Sequence, residues 1–168
     1  APTFSDRYRP KFSNPNLAPE RSKSYEVQWR GQPGADTRLE TSLYRTELRD
    51  AIVFGADATP RNVASARIDG AEVSLTQDWG PWRSQLGLAM IDPRDRDSGH
   101  TLARRARRTA SLDLDRRWER FTLGASWQAV SSSFDDEANR NRIGGHSLFG
   151  LRGSWAASDE LKLEAKLD

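Results

Sequence analysis

Apolar and polar residues trade places at every second position through eight successive stretches of this 168-residue chain. A period of two marks strands, whose side chains point alternately to opposite faces; a helix repeats its apolar positions every 3.6 residues. The first stretch runs from about Ser24 to Arg30, with Tyr25, Val27 and Trp29 on one face and Glu26, Gln28 and Arg30 on the other. The second covers about Thr37–Leu48, where Leu39, Thr41 and Leu43 oppose Arg38, Glu40 and Ser42. In the third, about Ala64–Asp78, Ala71, Val73 and Leu75 alternate with Glu72, Ser74 and Thr76. The fourth sets Trp82, Leu86, Leu88 and Met90 against Arg83, Gln85, Gly87 and Ala89. The fifth, about Arg105–Arg116, carries Ala110, Leu112 and Leu114; the sixth, Arg120–Ser131, carries Phe121, Leu123, Ala125 and Trp127. The seventh puts Phe149, Leu151 and Trp155 opposite Gly150, Arg152 and Ser154. The eighth puts Leu161, Leu163, Ala165 and Leu167 against Lys162, Glu164, Lys166 and Asp168.

The connections add a second regularity. Short turns at Gly31–Gly34, Trp79–Trp82, after Arg116 and at Ala156–Asp159 alternate with long connections at Arg49–Val63, Asp92–Ala103 and Ser132–Gly144. In the first long connection, the apolar run Ala51–Phe54 is expected to fold over the rim of the sheet. The opening stretch Ala1–Ser22 holds four of the eight prolines and no period, and reads as loop. Consecutive strands of an up-and-down meander reverse direction, so short turns collect at one end and long loops at the other. The predicted fold is therefore all-β, an antiparallel up-and-down meander of about eight strands. Outer-membrane barrels have this layout, with tight periplasmic turns and longer extracellular loops.

Alternation alone also fits a soluble sandwich, in which the apolar face is the buried one. Two features favour the barrel. Trp29, Trp79, Trp82, Trp118, Phe121 and Trp155 gather near the short turns, as in the aromatic belt of a membrane interface. Small residues and glycines mingle with charges on the polar face, as in a water-filled lumen that holds another protein segment. The competing readings are core anchors for the aromatic residues and a solvated outer face for the polar ones.

Composition bears on this choice. Charged residues make up 30% and apolar ones 36%, and mean hydropathy is -0.80, low for a protein with an ordinary core. A barrel strand needs only ~9–11 residues with half of them apolar, so this composition is compatible with membrane strands. No run of apolar residues is long enough for a transmembrane helix. The 26 basic and 24 acidic residues are well mixed, which argues against a nucleic-acid partner. With no cysteine there is neither a disulfide nor a thiolate metal site. The sequence shows no signal peptide and one methionine, Met90, so a processed product or an excised piece is expected.

Candidate chemistry is sparse. His100 and His146 lie in or beside predicted loops without a ligand-spaced partner, and read as solvated histidines. Asp135-Asp136-Glu137 has oxygen ligands suited to calcium but lacks the spacing of a loop-type site. Arg104, Arg105, Arg107 and Arg108 form a basic cluster whose charges split between two faces of a strand, which suits a rim better than a duplex-binding patch. No nucleophile–histidine–acid arrangement is suggested, so no enzyme activity and no cofactor are expected.

Four local strings resemble those of TonB-dependent outer-membrane receptors. Asn14-Pro-Asn-Leu-Ala-Pro-Glu20, continuing to Glu26, is similar to an "NPNL-x-PE-x-S-x-x-x-E" stretch. Tyr44–Ile52 resembles a "Y-x-N-x-(apolar)-x-D-(apolar)-I" segment, and Ala66–Glu72 an "A-x-(apolar)-x-G-x-E" strand start. Leu161–Asp168 resembles the strand leading into an Asn-Leu-Phe-Asp box. The strings arrive in the family's order across essentially the whole chain. The loop lengths and Leu102–Arg107 look most like the cobalamin (vitamin B12) receptors within that family.

The resemblance implies a segment of a barrel of ~22 strands closed by a plug domain, in the outer membrane of a Gram-negative bacterium. Residues 1–168 are then expected to be a C-terminal part of that barrel, with the plug, earlier strands and final strand outside it. The implied function is binding and import of cobalamin with energy supplied by TonB through the plug. The alternatives are a siderophore or haem receptor, or a self-contained eight-stranded outer-membrane barrel. Implied partners are cobalamin or another large ligand at the extracellular loops, TonB, and outer-membrane lipid and lipopolysaccharide. Arg104 matches an arginine at the barrel mouth, and with Phe134 and Arg140 makes the candidate set of ligand contacts. The third long loop offers Phe134 where these receptors often present tyrosines. Taken alone, the meander leaves its first and last strands unpaired, which predicts closure on itself, edge-to-edge pairing, or a departure from the shape of an intact barrel section.

Overall fold

The computed structural model of the chain describes residues 2–55 and 57–167. Ala1, and Asp168 on the expected polar face of the last strand, lie outside them. The elements in order are α1 (Phe4–Tyr8), β1 (Arg21–Gly34), β2 (Thr37–Phe54), β3 (Pro60–Trp79), β4 (Trp82–Asp95), β5 (Arg108–Trp118), β6 (Phe121–Val130), β7 (Ser133–Phe134), β8 (Arg142–Ile143), β9 (His146–Ala156) and β10 (Lys162–Leu167). Eight of the strands form one antiparallel sheet in the order β1-β2-β3-β4-β5-β6-β9-β10, a meander without crossovers. The remaining two, β7 and β8, form a small hairpin inside the third long loop. The all-β up-and-down expectation holds.

Register carries the period of two across strands. One row runs Leu39–Leu75–Leu86–Leu112–Trp127–Phe149, and the next polar row Glu40–Ser74–Gly87–Ser111–Gln128–Leu148. Because partners in register share a face, the eight apolar stretches merge into one continuous apolar surface. None of the described residues covers it: Leu88 is 44% exposed, Leu151 61% and Phe149 72%. The whole chain exposes 11886 Å², against roughly 8,300 Å² for a compact protein of this mass. A soluble sandwich would have buried these leucines against a second layer, so that reading is excluded.

Several expected boundaries move. The first long connection is mostly strand: β2 and β3 stay paired as far as Phe54↔Pro60. Ala51–Phe54 therefore continues the sheet and does not leave it at the rim. β5, β6 and β9, at 10 to 11 residues, match the length of a tilted membrane strand. β2 and β3 have 18 and 20 residues. At ~3.3 Å per residue and ~45° tilt the longer one rises about 47 Å, well beyond a hydrocarbon layer of ~30 Å, so this hairpin projects from the long-loop end.

The opening stretch is more ordered than a loop. Thr3 caps α1 in a reciprocal capping box with Asp6. Leu17 is almost fully buried, and its carbonyl accepts from Arg7 Nη2 at 2.6 Å. Asn62 on β3 exchanges side-chain bonds with both the N–H and the carbonyl of Ala18, which ties the segment to the projecting hairpin.

At the other end the turns are tight. Trp79 pairs with Trp82 across Gly80-Pro81. Pro81 fixes its own φ near −65°, which excludes a type I′ turn, and Gly80 at φ +62° supplies what type II′ requires. β1 pairs only with β2 and β10 only with β9 among the described residues. The sheet is thus open, which excludes closure between its first and last strands and with it the self-contained eight-stranded barrel.

Candidate functional site

The long-loop end is where the side chains of different elements converge. β4 and β5 are joined by residues 96–107, and β6 and β9 by residues 131–145, so both loops leave the same end of neighbouring hairpins. The first of them folds inward. Its Leu102 is buried against Ala51 and Ala66, with Leu48 and Ile68 alongside. Leu48 and Ile68 share a face with Tyr44 and Glu72 by the alternation of their strands, so this loop lies over the polar side of the sheet. A Leu102 N–H bond to the Pro93 carbonyl at 3.0 Å and the Arg94↔Thr101 bridge hold it there.

The two loops are then fastened to each other. Thr101 N–H donates to Asn139 Oδ1 at 2.8 Å, and Asn139 Nδ2 returns a bond to the Thr101 carbonyl at 2.8 Å. His100 Nδ1 lies 3.0 Å from the Glu137 carbonyl, which makes it the protonated ring nitrogen. Arg104, left-handed at φ 57°, donates its N–H to the Phe134 carbonyl at 2.6 Å and its Nε to Asp135 at 2.8 Å. The candidate contacts Arg104 and Phe134 are therefore neighbours in space. Arg140 enters the cluster through its backbone, whose N–H donates to Asp136, while its side chain is exposed.

Asp136 organises the third loop. Its carboxylate accepts backbone N–H bonds from Asn141 at 2.6 Å and Arg140 at 3.0 Å. The Asn141 bond is the larger cause, and with Arg140 it holds the carboxyl below its ordinary range against the opposing effect of burial. Of Asp135-Asp136-Glu137, which offers oxygen ligands without the spacing of a calcium loop, Asp135 and Asp136 hold Arg104 and a turn. Their signal was Asp136 followed four and five residues later by chain that must turn back, which is visible only once β7 and β8 are paired. Among the described residues no group of three or more metal-ligating side chains converges.

The polar face carries a second array. Arg152 Nη1 bonds Asp113 at 2.8 Å, and its Nη2 and Nε reach both oxygens of Asp115 at 2.7 and 3.0 Å. On the same face Tyr44 donates to Glu72 at 3.1 Å, whereas Arg45 bonds Asp69 at 2.6 Å on the apolar face. A sheet with paired charges on one face and uncovered leucines on the other can separate an aqueous space from hydrocarbon. Bearing inward-folded loops at one end, it has the form of a section of a β-barrel wall.

Residues 1–168 match the family described as TonB dependent receptor-like, beta-barrel. The chain belongs to that family. It is 29% identical over 177 residues to a vitamin B12 transporter BtuB of Photobacterium profundum, and 31% over 172 residues to one of Vibrio vulnificus. Both matches cover 99% of this chain but only 29% and 28% of the relatives, so the chain spans less than a third of their length. Among solved structures, the copper transporter OprC matches with a TM-score of 0.83 at 20% identity, over 99% of this chain and 28% of that one. The ferric yersiniabactin receptor FyuA of Yersinia pestis matches with a TM-score of 0.75 at 18% identity, covering 88% and 24%. These likenesses are of fold. They also correct the expected departure from barrel geometry: the open sheet keeps the shape of a receptor section.

Proposed function

We propose that this chain is a C-terminal wall section of an outer-membrane active transporter that imports cobalamin with energy delivered by TonB. The observation that carries the cargo assignment is the match to two vitamin B12 transporters over 99% of the chain. In this reading the apolar face meets lipid and the polar face meets a plug. The fastened loops, with Arg104 and Phe134 among them, border the ligand vestibule. Arg140 offers its exposed guanidinium at the same rim. Function consists of binding followed by energy-coupled rearrangement, without covalent chemistry.

The test is uptake of labelled cobalamin by a Gram-negative strain lacking its own receptor and supplied with the full-length protein. The expected result is uptake that disappears when TonB is removed. Uptake of a ferric siderophore or haem in place of cobalamin overturns the cargo, and import indifferent to TonB overturns the mechanism.

A further inference from the structure

Near its short turns the apolar face carries a cation, Arg116. Arg116 is in register with Trp82 on one side and Leu123 on the other, and shares its face with Leu112 and Leu114. Its guanidinium lies 4.4 Å from the centre of the Trp118 ring and 5.0 Å from that of Trp82. Nε is enclosed and has no hydrogen-bond partner. No ion pair of Arg116 is found among the described residues, although Arg83, Arg152 and Arg30 on the polar face, and Arg45 on the apolar one, are each paired with a carboxylate.

We infer that Arg116, held between Trp82 and Trp118, is a binding site for the phosphate of a phospholipid in the periplasmic leaflet. The inference rests on the barrel reading, which turns this face to lipid and the short turns to the periplasm. A guanidinium facing hydrocarbon needs an anion, and none of the described residues supplies one. At the level of an aromatic belt the anion within reach is a lipid phosphate. Two indole faces fix the plane of the fork, leaving its donors to engage phosphate oxygens in the bidentate manner arginine favours. Phe121 and Trp155, stacked at 5.9 Å, continue the belt beside it and offer a flat apolar surface to the upper acyl chain.

The experiment uses the full-length receptor in detergent, titrated with phosphatidylglycerol, with phosphatidylethanolamine, or with diacylglycerol of the same chains, and read by native mass spectrometry. The wild type is expected to hold one phospholipid that diacylglycerol does not replace. Arg116→Gln should weaken that binding about tenfold, the scale of one lost charge-assisted bond. Arg116→Lys should recover part of it, because the charge returns without the planar fork. Arg83→Gln, at the same end but on the polar face, should leave binding unchanged. Equal retention by Arg116→Gln and wild type overturns the site, as does diacylglycerol binding as well as phospholipid or preferential retention of lipopolysaccharide. Heat-modifiable gel mobility reports barrel formation separately: a receptor that never shows it fails the barrel reading, whereas a folded barrel without the selective lipid fails this site alone.

Discussion

Thr101 and Asn139 bind each other twice, N–H to Oδ1 and Nδ2 to carbonyl, each at 2.8 Å, across 38 residues of sequence. Thr101 is buried, so its backbone groups find no water if the partner is lost. Asn139 also adopts φ 55°, a conformation its short amide side chain tolerates better than most. Asn139→Ala should therefore cost about 1–3 kcal/mol locally, two part-buried bonds at ~0.5–1.5 kcal/mol each. The cost will appear as loop opening while the sheet stays intact. Limited trypsin digestion of the folded receptor should cut faster at Arg140 and Arg142, with the barrel itself still resistant. Unchanged cleavage would show that the loops are held by other contacts.

The Asp136 carboxyl titrates lower in the folded loop than in an unfolded chain, because backbone N–H groups prefer its charged form. A depressed folded pKa contributes stability that is present above the unfolded value, ~3.9, and is lost as pH falls through the folded one. Amide exchange at Arg140 and Asn141, normalised to an unstructured peptide, should be flat from pH 7 to 5 and rise below about 4. Asp136→Asn, which cannot carry the charge, should exchange quickly at every pH. A wild-type loop equally protected at all acidities would refute the assignment.

Leu112 lies between Leu86 and Trp127 in the middle row of the apolar surface, whereas Gln128 lies on the opposite face between Ser111 and Leu148. An arginine facing the middle of a bilayer costs about 2–4 kcal/mol, and an exposed polar-face change stays within about 0.5 kcal/mol. Leu112→Arg should lower the stability of the receptor folded into phospholipid vesicles by the first amount, and Gln128→Arg by the second. Reversal of the two, read by urea titration, would exchange the lipid and water faces.

The period of two was legible because Leu86, Leu112 and Leu151 face a different medium from Gly87, Asp113 and Arg152. Where both faces meet protein the period fades. Leu48 and Ala51 pack with Leu102 on the far part of the hairpin, where residues 49–54 read as a connection although they are strand. The loop fastening was invisible for another reason. Thr101 and Asn139 meet through a backbone and one amide, and neither residue type announces a distant partner. Arg104 and Phe134 were found from resemblance, and the structure joins them through a backbone bond that no side-chain pattern encodes. Arg116 breaks the alternation it sits in, so a reading built on periodicity could only treat it as the end of a strand.

Asp115, Gly124 and Arg152 stand in one row across β5, β6 and β9, and the ion pair passes over the glycine between them. A methyl group at Gly124 would lie 2.6 Å from Arg152 Nε and press on the Asp115 carboxylate as well. Gly124→Ala should therefore part the pair, at ~1 kcal/mol for a charge pair about one-third exposed. The glycine could instead be needed for its backbone, and a double-mutant cycle separates the two causes. In an Arg152→Met background the pair is already gone, so Gly124→Ala should become nearly silent in urea unfolding of the receptor. If the glycine substitution costs as much without Arg152 as with it, the strand and not the ion pair requires the missing side chain.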